Sequence, residues 1–159
     1  MSGKTLWIMS GLPASGKSYY ARRNLMKGDN WKYISRDEVR FSMITDDDQY
    51  FAKENEVYKE FVKCIKDALN DKNITDVIAD ATHLNWPSRR KLIEAVGLPE
   101  GTKVNVVRIV SSDKTMLIRN AKREGRRQVP KKTLRDMRAR MTHPKNDPYH
   151  YDKIIEVNN

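Results

Sequence analysis

Cysteine is almost missing from this 159-residue sequence, which contains Cys64 and no other. One thiol cannot form an internal disulfide, and no Cys-x-x-Cys pair or Cys/His cluster indicates a structural zinc site. Cys64 lies in an apolar helical pattern, which favours an inert buried thiol over a nucleophile. Long apolar runs are missing too: the run from Leu6 to Met9 is far shorter than a signal-peptide core or a membrane span. We therefore expect a protein of the reducing cytoplasm with no membrane partner.

Negative charge is also scarce. Asp and Glu number 21 against 31 Lys and Arg, which gives a formal charge of +10. This excess favours polyanionic partners, with nucleic acid as the first candidate, although a cationic surface that is merely solvated fits the same composition. The sequence has no internal repeat or low-complexity tract, and its length suits one domain over 1–159.

Strand and helix patterns alternate along the whole chain. Apolar runs and β-branched residues predict strands at 5–10, 31–35, 76–81, 103–110 and 152–157. Helices are predicted at 19–27, 36–44, 49–71, 87–96, 113–124 and 131–141, with Gly28 and Gly97 ending the first and fourth of them. Parallel strands need crossover connections that cover both sheet faces with helices. The pattern predicts an α/β three-layer sandwich with a parallel five-stranded sheet, the P-loop NTPase/kinase fold.

A glycine-rich loop follows the first predicted strand: residues 11–18 read Gly-Leu-Pro-Ala-Ser-Gly-Lys-Ser. Its two glycines let the backbone wrap so that successive N–H groups point at phosphate oxygens, and the next helix directs its positive end there. Lysine at the loop's end reaches the β- and γ-phosphates, and the following serine offers a hydroxyl to Mg²⁺. ATP and Mg²⁺ are the expected ligands, with Ser18 on the metal. The expected nucleotide site comprises Gly11, Ala14, Ser15, Gly16, Lys17 and Ser18.

Two aspartates mark the acceptor side. Asp37 follows the second strand at the edge where ligands of open α/β sheets bind, and it is our candidate general base. Arg40, three residues on, lies on the same helical face and could hold an acceptor phosphate as a bidentate fork. A purely structural interpretation also fits, because Ser35 with Glu38 forms a capping-box pattern that favours acid in the first turn. Asp80 ends the third strand, where it could orient the metal's water shell or the acceptor, or cap the next turn.

A basic segment supplies the candidate lid, at about 113–130. Arg119 and Arg123 are four residues apart on one predicted helical face, with Gly125 as a hinge or C-cap. A mobile arginine pair could close over the transferring phosphate, while a solvated basic run has the same composition.

Four blocks in order carry a resemblance that spans nearly the whole chain: Gly-Leu-Pro-Ala-Ser-Gly-Lys-Ser, Ser-Arg-Asp-Glu-Val-Arg, Asp-Ala-Thr-His-Leu-Asn-Trp-Pro-Ser-Arg-Arg, and Arg-Asn-Ala-Lys-Arg with a following Val-Pro. Together they resemble the 5′-kinase domain of the phage-type polynucleotide kinase family. The resemblance implies that Asp37 is the base for the 5′-hydroxyl, that Arg40 grips the acceptor's 3′ phosphate and that Asp80 serves the acceptor side. It also implies that Arg123 contacts the nucleotide's phosphates, with Arg119 at a similar lid position.

The sequence departs from that family at two points. The family often carries Asp-Thr-Asn where this chain has Asp80-Ala81-Thr82-His83, so Thr82 and His83 stay outside the expected catalytic set of Lys17, Asp37 and Arg123. The Asp-x-Asp-Gly-Thr motif of the companion phosphatase is not in the sequence, so we expect no 3′-phosphatase activity.

Three functions fit these residues. The first is a polynucleotide 5′-hydroxyl kinase that uses ATP and acts on 5′-OH ends of DNA or RNA. The second is a kinase of a small metabolite or nucleoside on the same scaffold, because the fold does not fix the acceptor. The third is a non-catalytic nucleic-acid binder that uses ATP only as a switch.

Overall fold

Five strands form one parallel sheet in the order β2-β3-β1-β4-β5 in the computed structural model, which describes residues 3–159. The strands are β1 Thr5–Ser10, β2 Trp31–Ser35, β3 Asp76–Asp80, β4 Lys103–Val110 and β5 Lys153–Asn158. The helices are α1 Lys17–Asn24, α2 Arg36–Met43, α3 Glu54–Leu69, α4 Trp86–Val96, α5 Asp113–Ala121 and α6 Lys131–Ala139. Short 3₁₀ turns lie at Gly125–Arg127 and Pro144–Asn146.

Helices cover both faces of the sheet, because successive strand residues point to opposite sides. Leu6 and Ile8 of β1 pack with α3 and α4 in one buried cluster. Met9 of the same strand packs with Ala21 of α1 in a second cluster on the other face. The predicted three-layer α/β sandwich with its parallel sheet is therefore confirmed.

The strand register brings the chemistry-bearing ends together. Met9 of β1 lies opposite Asp80 of β3 and Val107 of β4, and Ser35 of β2 lies opposite Asp80. The carboxyl ends of these strands thus share one edge, and the segments that leave them converge there. This edge is where open α/β sheets bind their ligands.

The helices have somewhat different bounds from those predicted, and two of them differ most. The first begins at Lys17 and ends at Asn24, before a turn in which Gly28 has a φ of 73° rather than capping the helix. The long helix begins at Glu54 instead of 49, because the chain before it turns so that Tyr50 contacts α2.

A third buried cluster joins the proposed lid to the sheet edge. Leu12 and Leu84 pack there against Met116 of α5, with Met137 and Met141 alongside.

Across residues 3–159, none of the helices combines the length and apolar character needed to cross a membrane.

Candidate active site

The loop between β1 and α1 has the backbone of an anion site. Ala14 and Gly16 adopt positive φ values of 63° and 103°. Helix α1 starts directly after Gly16, with no side-chain cap and no acidic residue in its first turn. Its first N–H groups and its positive dipole end are therefore left for a ligand. The buried Ser15 hydroxyl also has no hydrogen-bond partner within the described part of the chain. These features fit a polyphosphate.

Lys17 lies at the centre of the charges around this loop. Its Nζ donates to the Leu12 carbonyl at 2.9 Å. Burial lowers its pKa, Asp80 and Asp37 act in the opposite direction, and Arg123 lowers the pKa further. Four residues singled out from the sequence are thus within electrostatic range of one another. A buried ammonium of this kind is a compact cation for a phosphate.

Asp80 is buried at the end of β3, with 8% of its surface exposed. The Tyr33 hydroxyl donates to its Oδ2. Burial raises the pKa of Asp80, while Lys17 and the Tyr33 hydrogen bond counteract that rise. Burial and the nearby carboxylate also raise the pKa of Tyr33, so its hydroxyl remains a donor. No sequence motif marks Tyr33 as a site residue, although its position on the neighbouring strand could have indicated it.

Asp37 lies in the first turn of α2, whose N-cap Ser35 accepts from the Glu38 N–H at 3.3 Å. The cap expected at Ser35 is therefore present. The Asp37 carboxylate takes no part in that cap and binds other partners. Oδ1 accepts from Arg40 Nη1 at 2.5 Å and from the Tyr50 hydroxyl at 2.7 Å. Oδ2 faces Arg123 Nη2 at 3.9 Å. One carboxylate oxygen is held in place and the other points towards the proposed lid.

Arg40 is buried, with 4% of its surface exposed, and does not extend into solvent as a free fork. Besides Asp37, it donates to both carboxylate oxygens of Glu54, from Nη2 at 2.9 Å in each case. Its guanidinium also lies 4.3 Å from the centre of the Tyr50 ring. Every nitrogen of the guanidinium has a protein acceptor. The role of Arg40 as an acceptor-phosphate anchor stays a prediction, and it would require a phosphate to replace one of these partners.

Sequence reasoning missed Tyr50 and Glu54, the two residues that complete this network. They lie 10 and 14 residues beyond Arg40. Neither belongs to a motif, and Glu54 looks like an ordinary acidic residue in a helix's first turn. Only the packing of α3 on α2 makes them site residues.

The sequence predicted that Arg119 and Arg123 share one helical face. In the structure they do not. Helix α5 ends at Ala121, and the buried Asn120 side chain binds both the N–H and the carbonyl of Val129 at 2.8 and 2.6 Å. This clamp turns the chain after the helix, so Arg123 reaches towards Asp37 while Arg119 Nη1 donates to the Ser15 carbonyl at 3.1 Å. Gly125 neither caps α5 nor lies within it, but begins the 3₁₀ turn.

A magnesium ion would need the nucleotide as a ligand here. Among residues 3–159, no group of three or more His, Cys, Asp or Glu side chains could hold a metal ion. Mg²⁺ keeps several waters and commonly binds through substrate phosphates with one or two protein oxygens. Ser18 in the first turn of α1 and Asp80 on the adjacent strand are oxygen donors of that kind.

The chain matches the AAA_33 family model, described as an AAA domain, over residues 6–144. No curated protein sequence matches it significantly. A chain in the structure of the Pnkp1/Rnl/Hen1 RNA repair complex is 26% identical with a TM-score of 0.70, over 86% of this chain and 43% of that one. This chain thus corresponds to less than half of that relative.

Two further solved structures share the fold alone. A fungal RNA kinase is 13% identical with a TM-score of 0.63, over 96% of this chain and 73% of that one. A sugar kinase from Janibacter sp. HTCC2649 is 18% identical with a TM-score of 0.58, over 98% of this chain and 84% of that one. The fold therefore occurs with acceptors of different chemistry.

Proposed function

Because the chain belongs to the AAA_33 family of AAA domains and has a P-loop kinase fold, we propose that it is a polynucleotide 5′-hydroxyl kinase. It transfers the γ-phosphate of ATP to the 5′-OH end of DNA or RNA, in the manner of the phage-type enzymes of nucleic acid repair. The RNA repair complex among its structural relatives supports this acceptor.

The arrangement around Asp37 carries the proposal. Arg40 and Tyr50 fix Oδ1, so Oδ2 is the oxygen left to accept a proton. Oδ2 faces Arg123, and the charge of Arg123 also lowers the pKa of Lys17. The proposed base therefore lies beside the two cations that would bind phosphate. An acceptor hydroxyl placed there gives its proton to Oδ2 as its oxygen attacks the γ-phosphorus and ADP leaves.

The remaining residues hold and neutralise the donor. The N–H groups of the loop through Gly16 bind the β- and γ-phosphates, and Lys17 turns from the Leu12 carbonyl to the phosphate. Arg123 stabilises charge on the transferred group, and Arg119 closes the loop from the lid side. The Ser18 hydroxyl would hold a Mg²⁺ ion, which would neutralise negative charge on the phosphates.

Phosphoryl transfer from labelled ATP tests the proposal. Wild-type protein should label 5′-OH oligonucleotides of DNA or RNA. Asp37→Asn keeps an acceptor oxygen for Arg40 and Tyr50 but cannot take a proton, so it should bind ATP normally and lose at least about a hundredfold in kcat. Retained transfer in that variant would rule out Asp37 as the base, and label only on small alcohols would rule out the polynucleotide acceptor.

A small metabolite or nucleoside is the second candidate acceptor. One observation favours it: Arg40, the expected anchor for the acceptor's 3′ phosphate, is fully occupied by protein partners. An acceptor without a phosphate would leave that network intact. Transfer to a sugar or nucleoside whose KM is insensitive to salt would support this second function, because contacts to nucleic acid phosphates release counterions.

A further inference from the structure

A second polar cleft opens beside the acceptor side of the site. It has a volume of about 260 Å³ and is lined by Arg36, Glu54, Asn55, Tyr58, Lys59 and Lys91. Arg36 directly precedes Asp37, and Glu54 binds both Arg36 and Arg40. The cleft therefore begins one residue from the proposed base, a Cα separation of about 3.8 Å.

Positive charge in this cleft exceeds negative charge. Three of its lining residues are cations and one, Glu54, is an acid. Glu54 is already shared between Arg36 and Arg40. Lys59 and Lys91 are exposed, and neither has a carboxylate partner among the ion pairs of the described residues. These two lysines therefore have room for an anionic ligand.

Tyr58 organises these cations. Lys91 Nζ lies 4.4 Å from the centre of its ring and the Arg36 guanidinium lies 5.1 Å from it. Glu54 neutralises Arg36, but Lys91 at the same ring has no such partner in the described part of the chain, and a bound anion would offset the repulsion between the two cations. The Tyr58 hydroxyl and Arg36 Nε are also buried without a hydrogen-bond partner within residues 3–159. Burial raises the pKa of Tyr58, so the hydroxyl keeps its proton and is a hydrogen-bond donor.

We propose that this cleft binds the phosphate backbone of the acceptor strand, downstream of the nucleotide whose 5′-hydroxyl lies at Asp37. This inference rests on the proposed function and assigns the cleft to single-stranded nucleic acid. Phosphate oxygens supply the anionic partner that the exposed Lys59 and Lys91 lack among residues 3–159. Because the Tyr58 ring already contacts two cations, we expect the cleft to bind phosphates rather than to stack bases, and to bind all sequences equally.

The test compares two double variants with equal loss of charge. Lys59→Ala with Lys91→Ala removes the exposed cations of the cleft. Lys66→Ala with Lys72→Ala removes two exposed lysines at and beyond the far end of α3. Fluorescence anisotropy with a labelled 5′-OH octanucleotide, without ATP, gives Kd as a function of salt. Circular dichroism melts verify that each variant is folded.

The cleft variant should weaken octanucleotide binding about tenfold, for oligo-A and oligo-C alike. It should also lower the slope of log Kd against log salt by about 1.4, at roughly 0.7 for each phosphate contact in a single strand. The control variant should keep the wild-type slope. KM for a nucleoside 3′-monophosphate acceptor should not change, because that acceptor does not extend into the cleft.

Equal losses in both variants would overturn the inference, because surface charge in general would then account for binding. An unchanged Kd and slope in the cleft variant would overturn it as well. Binding and catalysis separate the two proposals. Binding that depends on the cleft, without phosphoryl transfer, would support the cleft as a nucleic acid site and refute the kinase activity. Normal phosphoryl transfer, with unchanged binding in the cleft variant, would support the kinase activity and refute the cleft as a nucleic acid site.

Discussion

Arg40 donates to Asp37 Oδ1 at 2.5 Å while the opposite side of its guanidinium binds Glu54. A planar guanidinium held from two sides has little rotational freedom, so it transmits the position of α3 to the proposed base on α2. Tyr50 reinforces this arrangement by stacking on Arg40 and donating to the same Asp37 oxygen at 2.7 Å. The base is therefore oriented by residues of α2, of α3 and of the turn between them.

Tyr50→Phe tests that orientation. The change removes one donor to Asp37 and keeps the ring that packs on Arg40, Phe41 and Phe51. We expect kcat to fall about tenfold with KM for ATP unchanged, and the free energy of unfolding to fall by about 1 kcal/mol. Steady-state kinetics and urea denaturation measure the two effects.

Tyr149→Phe is the matched control, because Tyr149 is exposed and its hydroxyl has no hydrogen-bond partner among the residues that the structure describes. It should leave kcat unchanged. A Tyr50→Phe enzyme with wild-type kcat would show that Arg40 alone positions Asp37.

Asp80→Asn should exchange activity for stability. The raised pKa of Asp80 means that the folded state binds its proton more tightly than the unfolded chain does. Stability from this group is therefore lost as pH rises through that pKa, and at pH 7 the buried charge is a cost. The neutral amide still accepts from Tyr33, so the melting temperature should rise by a few degrees at pH 7.

The same change removes the negative charge near Lys17, and kcat should fall about tenfold or more. Differential scanning calorimetry at pH 7 and steady-state assays give the two results. A lower melting temperature would show that the Lys17–Asp80 attraction outweighs the desolvation of the carboxylate.

Arg89 illustrates what the sequence could not reveal about its basic run with Arg90 and Lys91. A basic run of this kind is usually a solvated helix face, yet Arg89 is completely buried and pairs with Asp147 at 2.7 Å. Arg89→Ala leaves that carboxylate buried and unpaired, so we expect a loss of about 3–5 kcal/mol in unfolding free energy. Chemical denaturation measures this loss.

Arg90 is the control beside it. Its pair with Glu94 is exposed on the same helix, so Arg90→Ala should cost under about 0.5 kcal/mol. Similar losses in the two variants would contradict the structural role of Arg89.

The features predicted from sequence are those fixed by local pattern. The pattern at 76–81 predicted a strand, and β3 is one, with Val77, Ile78 and Ala79 fully buried. The glycines of residues 11–18 predicted the turn before α1. Glu54, which pairs with Arg40, and Asp147, which pairs with Arg89, lie 14 and 58 residues away along the chain, and only tertiary packing selects them. The end of α5 likewise depends on Asn120 binding Val129, which no helical periodicity encodes.

His83 gives the molecule a pH-dependent stability. It lies buried after β3 with a φ of 40°, and its Nδ1 bonds to the Met9 carbonyl at 2.7 Å. The pKa of His83 is lowered from 6.5 to about 4, because burial and the nearby cations Arg36, Lys17 and Arg89 together outweigh the opposing effect of the hydrogen bond to Met9. The folded state therefore holds His83 neutral at pH values where the unfolded chain binds a proton.

The stability from neutral His83 is complete above pH 6.5 and is lost as pH falls towards 4, up to roughly 3 kcal/mol. His83→Asn can place an amide N–H near Met9 and tolerates positive φ, so it should unfold with a shallower dependence between pH 6.5 and 4. The exposed His150, changed to Asn, should keep the wild-type slope. Urea denaturation across this range measures all three proteins. Parallel curves for wild type and His83→Asn would show that other groups govern the acid sensitivity, since His83 alone differs between those two chains.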